Sequence, residues 1–230
     1  MYYGMFWDPT YILVIIGAAI CAVASINVST TFKRYSKTFN HRGITAEQCA
    51  REILQSAGIL DVRIERVSGN LTDHYSPKDK VLRLSESVYG SSSIAAIGVA
   101  AHECGHAIQH QVEYSQLKLR TLSVPMANFG SFLSWPLIII GLIMSFKPLI
   151  LIGIILFTFV VLFQLITLPV EFNASRRAVK ILSDSMILTK DEVKVARKVL
   201  SAAAMTYVAA LFASVLQLLR LLLLARGRRD

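Results

Sequence analysis

Four long apolar stretches set the pattern of this chain. They run from Tyr11 to Phe32, from about Val124 to Phe146, from Leu149 to Val170 and from Ala202 to Ala225. As helices rising about 1.5 Å per residue, each is long enough to cross a hydrocarbon layer of about 30 Å. The first has no charged residue, and neither a basic leader nor a small-residue cleavage site marks it, so it reads as a retained transmembrane helix and not a signal peptide. Tyr2, Tyr3, Phe6, Trp7 and Tyr11 fit an interfacial aromatic belt at its start. Pro125 and Pro136 predict a kinked or offset start to the second stretch. Phe146-Lys147-Pro148 is a tight turn into the third.

Between the first two stretches the periodicities are those of a small folded domain. Thr45 to Gln48 spells a capping box, and Ala46, Cys49, Ala50, Ile53, Leu54 and Ala57 follow at helical spacing until Gly58. Val62 to Val67 alternates apolar and charged residues, as a half-buried strand does. Turns at Ser68-Gly69-Asn70 and Ser76 to Lys80 bracket a short strand from Leu71 to Tyr75. Val81 to Ser85 reads as a third strand of a small antiparallel sheet. A helix capped near Ser92 or Ser93 follows. Thr189 to Glu192 is a second capping box, opening a helix that runs from charged residues at Lys190 into lipid-like sequence through Leu224.

Composition supports the membrane reading. The chain of 230 residues is 54% hydrophobic. Its net charge of +9 is explained by lysine and arginine gathered on one side of a bilayer. Residues 33–123 hold 12 and residues 171–200 hold 7, against 1 at Lys147 and 4 from Arg220 onward. With the N-terminus outside, the two rich segments share the cytoplasmic side, 19 against 5. The tail Arg226 to Arg229 dissents from this bias if the fourth stretch spans. A nucleic-acid binder is disfavoured, because no basic patch interleaved with aromatics stands apart from the membrane bias. Cys21, Cys49 and Cys104 are too scattered for a disulfide framework and suit a reducing compartment.

The candidate chemistry lies at His102-Glu103-Cys104-Gly105-His106. Two histidines four apart on a helix lie on one face, where both imidazoles reach one metal ion, and the glutamate beside the first can act as general base on a water at that metal. A hydrolytic zinc site takes three protein ligands. His110 lies on the same face, but three ligands along one straight helix span about 12 Å, too far for one ion. His41 and His74 have no supporting pattern. Glu171 is favoured, since a carboxylate at the mouth of a membrane helix needs a partner. Tyr207, Arg176 and Arg177 are candidates to stabilise an oxyanion. Cys104, Gly98, Ala101 and Gly105 read as packing residues, and Val81 to Ser85 as an edge that could hold an extended substrate.

His-Glu-x-x-His, a transmembrane hairpin, then Glu171-Phe172-Asn173-Ala174 through Ala178 resembles the gluzincin layout of membrane metalloproteases related to HtpX and the CAAX prenyl endoprotease. The chain is more similar still to the YugP-type family of bacterial membrane zinc metallopeptidases. Leu82 through Gln109, Leu117 to Arg120 and Ala204 to Ala209 carry that resemblance. It implies a zinc-dependent endopeptidase with its active site at the cytoplasmic face, with His102, His106 and Glu171 on Zn2+ and Glu103 as base. Apart from the resemblance, a strand edge at Val81 to Ser85 on a membrane-bound chain suits unfolded, loop or membrane-protein substrates. Related gluzincins place an Asp four residues after the ligand Glu, where this chain has Ser175, so Asn173 and Asp73 also become candidates to orient the histidines. Alternatives are an intramembrane-cleaving zinc protease and a membrane scaffold with a structural zinc. The expected fold is a mainly α membrane protein with about four transmembrane helices and a small α+β cytoplasmic domain. Its parts are an N-terminal helix at 1–32, the metalloprotease domain at 33–123, a transmembrane hairpin at 124–170, cytoplasmic helices at 171–201, and a last helix with a basic tail at 202–230.

Overall fold

The computed structural model describes residues 8–226. Tyr2, Tyr3, Phe6, Trp7 and the tail beyond Arg226 lie outside the described residues. In chain order the elements are α1 (Tyr11–Tyr35), α2 (Ala46–Ser56), β1 (Arg63–Val67), β2 (His74–Ser76), β3 (Val81–Ser85), α3 (Ile94–Gln111), α4 (Ser115–Ile143), α5 (Lys147–Asp184) and α6 (Lys190–Arg226). Four helices among the described residues, α1, α4, α5 and α6, are long and apolar enough to cross a membrane. The chain divides into two compact units. One comprises the described residues up to Ser25, Leu119–Leu168 and those from Thr206; the other comprises Ile26–Lys118 and Pro169–Met205.

In the first unit α4 and α5 form a close hairpin. A side chain at Gly130 would meet the Leu156 carbonyl at 2.6 Å, and one at Gly153 would meet Ile138 at 2.5 Å. Small residues at these positions let the backbones approach, the usual basis of helix packing where lipid removes the hydrophobic drive. The helix α4 starts at Ser115, earlier than the apolar run alone suggests, and keeps Pro125 and Pro136 inside it. Ser145, at φ 51°, closes the turn, and Pro148 sits in the first turn of α5, where no amide donor is needed. Gly17 of α1 faces Ala213 of α6, and the Arg220 guanidinium lies 4.0 Å over the Tyr11 ring. These two contacts make α1 and α6 antiparallel neighbours over that length.

The second unit is built on one core. Ile53 and Leu54 of α2, Leu82 and Leu84 of β3 and Ile97 and Ala101 of α3 pack with Ala178 and Leu182 of α5 and Ala196 and Leu200 of α6. The 33–123 segment therefore does not close its core alone; α5 and α6 complete it. Thr45 and Gln48 form the reciprocal capping box of α2, and Ser93 caps α3 by accepting from the Ala96 amide. Thr189 and Glu192 make the same reciprocal pair at the start of α6.

The sheet departs from the antiparallel expectation. Its order is β1-β3-β2, with β1 parallel and β2 antiparallel to β3. Leu71 has φ 56°, a left-handed conformation that a strand cannot contain, so β2 begins only at His74. The turn before β3 then pairs β2 with β3 and leaves β1 to flank β3 from the other side. Val81 to Ser85 is thus the central strand, buried on both faces, and not an edge open to substrate. Asp73 accepts from the Ser85 amide and hydroxyl at 2.7 and 2.9 Å, fixing the entry to β2.

Cys49 and Cys104 are fully buried, and Cys104 donates to the Ala50 carbonyl. Burial pushes the Cys49 thiol up to about 12 and the Cys104 thiol well above its ordinary value. Both should resist maleimide labelling in the folded protein at neutral pH and react once it is denatured; rapid native labelling of either would contradict this packing.

Candidate metal centre

His102 and His106 stand one turn apart on α3, their rings edge to face at 4.8 Å between centroids. Glu171, on α5, reaches them from across the unit's core. Its Oε2 lies 3.3 Å from Nε2 of His102 and 3.6 Å from Nε2 of His106. Ligand atoms of the three residues all lie within 4.8 Å of one another. Two ligand atoms about 2.0–2.1 Å from a tetrahedral zinc are about 3.3 Å apart, so the observed spacings fit one such ion. Two imidazole nitrogens and one carboxylate oxygen also match zinc's ligand preference.

Close approach of two helices produces this spacing. A Cβ on Gly105 would lie 2.7 Å from the Ala174 carbonyl oxygen, so only glycine lets α3 seat against α5 there. Gly98, on the same face, would place its Cβ at an ordinary 3.6 Å from Ala196. The sequence groups these two glycines together; the structure separates them.

Both imidazoles are held from behind. The Ser175 hydroxyl is 3.1 Å from Nδ1 of His102, one turn of α5 beyond Glu171. Gln109, fully buried, accepts from Nδ1 of His106 at 3.0 Å. Its own amide nitrogen donates to the Val170 carbonyl at 2.9 Å and to Asn173 at 3.0 Å, which fixes which end of the amide faces the ring. Nδ1 of His106 therefore carries the proton, and Nε2 presents its lone pair on the side of Glu171. Burial by itself would lower the His106 pKa; the Glu171 carboxylate facing the ring and the nearby charge of Glu103 outweigh it and raise it.

Glu103 is almost fully buried, and its Oε2 accepts from the backbone amide of Tyr75 in β2 at 3.0 Å. Tyr75 in turn places its hydroxyl 2.9 Å from Nδ1 of His110. His110 thus serves β2, while His74 bonds the Thr72 carbonyl and His41 pairs with Glu192. Asn173 bridges Gln109 and Arg177, and Arg177 also lies over the Tyr114 ring. Arg176 is exposed on α5, Asp73 serves Ser85, and Tyr207 belongs to the first unit. Gln109 and Tyr75 are the residues that sequence reasoning passes over. The signal for Gln109 is a polar side chain three residues past a metal-motif histidine in an otherwise apolar helix.

Such a donor set, on a chain with four apolar helices, defines the class: a membrane protein with a zinc-peptidase type of centre. Comparison with known proteins agrees. Residues 10–226 match the family described as "Putative neutral zinc metallopeptidase". The chain is 47% identical over 207 residues to the "Putative membrane protease YugP" of Bacillus subtilis (strain 168), covering 90% of this chain and 92% of that protein. No solved structure matches. The chain belongs to this zinc metallopeptidase family.

Two expectations follow. Gly105→Ala should lower the melting temperature and weaken zinc binding, whereas Gly98→Ala should be neutral or add the roughly 0.5–1 kcal/mol that alanine gains over glycine in a helix. Equal melting temperatures for the two variants would contradict the helix contact described above. The second concerns pH. A His106 pKa raised above the ordinary 6.5 stabilises the zinc-free protein fully below that value, and the contribution is lost as pH rises through the folded pKa. Zinc needs the neutral ring, so its stabilisation grows over the same range. Melting curves from about pH 6 to about pH 8 should therefore show a zinc-induced shift that increases with pH; a shift independent of pH would contradict it.

Proposed function

We propose that the protein is a gluzincin-type endopeptidase, integrated in the membrane, that cleaves peptide bonds at the cytoplasmic face. The observation that carries this is the placement of Glu171 Oε2 at 3.3 and 3.6 Å from the two Nε2 atoms, with Glu103 on the same turn of α3. Three ligands is the number that hydrolytic zinc sites use, which leaves a position for the reacting groups. The zinc that such a set holds supplies Lewis acidity to a water molecule and to the substrate carbonyl.

The protein's own groups do the rest. His102, His106 and Glu171 bind the ion, and Ser175 and Gln109 keep the imidazoles in register. Glu103 takes the proton from the attacking water and passes it to the leaving amine. The Tyr75 amide holds one oxygen of Glu103, leaving the other oxygen for the water. Unfolded segments, loops or membrane proteins are the substrates that suit a site tied to a bilayer. The cytoplasmic assignment is supported by 19 lysines and arginines in 33–123 and 171–200 against 5 elsewhere.

Glu103→Gln should keep zinc and the melting temperature while proteolysis of an unfolded substrate falls by about 10² to 10⁴. His102→Ala should lose zinc and activity together. A structural-zinc scaffold would instead show Glu103→Gln as harmless, and wild-type proteolysis by that variant would sink the mechanism. For orientation, Lys78→Cys places an exposed thiol in the turn between β2 and β3. It should be unreactive toward an impermeant maleimide in intact cells and reactive in opened membranes; labelling from outside would reverse the topology.

A further inference from the structure

The second unit carries a groove that shares only Ser175 with the metal centre. It is a cavity of about 650 Å³ between α5 and α6, which run antiparallel around the turn at 185–189. Two stripes at i, i+4 spacing line it: Phe172, Arg176 and Lys180 on α5, and Val193, Arg197, Ser201 and Met205 on α6. Arg176, Lys180 and Arg197 are exposed and form no ion pair among the described residues. Asp184 is the one acid in the lining. A smaller neighbouring cavity of about 460 Å³ shares Arg197 and Met205 and adds Arg34 and Lys198.

Polarity is graded along the groove. Phe172 and Met205, both more than 40% exposed, lie at the end nearest in sequence to the apolar spans, four residues from Leu168 and one from Thr206. The cations follow farther toward the turn, Arg176 and then Lys180 on α5 and Arg197 on α6. An occupant that meets exposed apolar side chains first and three unpaired cations next is an anionic amphiphile. We propose that this groove binds an anionic phospholipid, its phosphate held by Arg176, Lys180 and Arg197 and its upper acyl chains against Phe172 and Met205. An acidic peptide would satisfy the cations but has no use for the graded apolar end. Ser175 lines the same groove and bonds His102, so the occupied site would adjoin the metal centre through one side chain.

The test uses the full-length protein in a neutral detergent. Native mass spectrometry and melting temperature are read while phosphatidylglycerol or phosphatidylcholine of the same acyl chains is added. Phosphatidylglycerol should give discrete retained adducts and raise the melting temperature, and phosphatidylcholine should do so far less. The triple variant Arg176→Gln, Lys180→Gln, Arg197→Gln should bind phosphatidylglycerol on the order of 100-fold more weakly. A control triple, Arg63→Gln, Arg66→Gln, Lys78→Gln, removes equal charge from the sheet region and should bind as the wild type does. Should the first triple fail to fold, Arg176→Gln alone should weaken binding about fivefold. The proposal is overturned if the groove variants bind phosphatidylglycerol normally or if both triples lose it equally. It also falls if an acidic decapeptide, or soluble glycerophosphoglycerol without acyl chains, binds as tightly as the lipid and depends on the same three residues.

Discussion

Everything at the candidate site depends on how closely α3 approaches α5. The two histidines come from one helix and the carboxylate from another, 65 residues later in the chain. Their atoms meet because Gly105 has no side chain where the Ala174 carbonyl passes. One methyl group at that point would force the backbones apart by a few tenths of an ångström or more, comparable to the tolerance of a zinc–ligand bond. Ala178 and Leu182 continue the contact beyond the site, so the register of α5 that presents Glu171 is the register that fills the core.

Burial raises the stakes for each polar group. Glu171, His106 and Gln109 are all nearly inaccessible to water, where unpaired polar atoms are costly. A chain of hydrogen bonds satisfies Gln109 and the Nδ1 side of His106: Asn173 and the Val170 carbonyl accept from Gln109, and Gln109 accepts from His106, whose Nε2 faces the Glu171 carboxylate. Because Val170, Glu171, Asn173 and Ser175 sit within two turns of one helix, a single segment supplies the carboxylate and groups that aim the imidazoles. That economy lets a hydroxyl do the work at position 175. Ser175 handles His102, and the aiming of His106 falls to Gln109 on the histidine's own helix.

Much of this was legible beforehand, and for identifiable reasons. The metal helix, both capping boxes and the four apolar helices rest on local periodicity, which the chain writes plainly. Glu171 could be singled out because a charge at the end of an apolar run has few innocent explanations. The sheet was misjudged because pairing order is non-local: Val62 to Val67 and Val81 to Ser85 both look like strands, but nothing in either says that β2 will take one side of β3 and β1 the other. Leu71, which cuts short the strand expected from Leu71 to Tyr75, is a leucine and so does not itself advertise a left-handed backbone. Tyr75 leaves no signal in the sequence, since its backbone amide, not its side chain, meets Glu103.

The central claim is that His102, His106 and Glu171 form one zinc site. Elemental analysis of the purified wild type beside Glu171→Ala and Glu171→Gln tests it most directly, since it needs no substrate. The account predicts about one zinc per chain in the wild type and a strong loss in both variants, with Gln109→Ala in between. Full zinc occupancy in Glu171→Ala would contradict it, and would mean that the carboxylate facing the two imidazoles holds them together without sharing the metal.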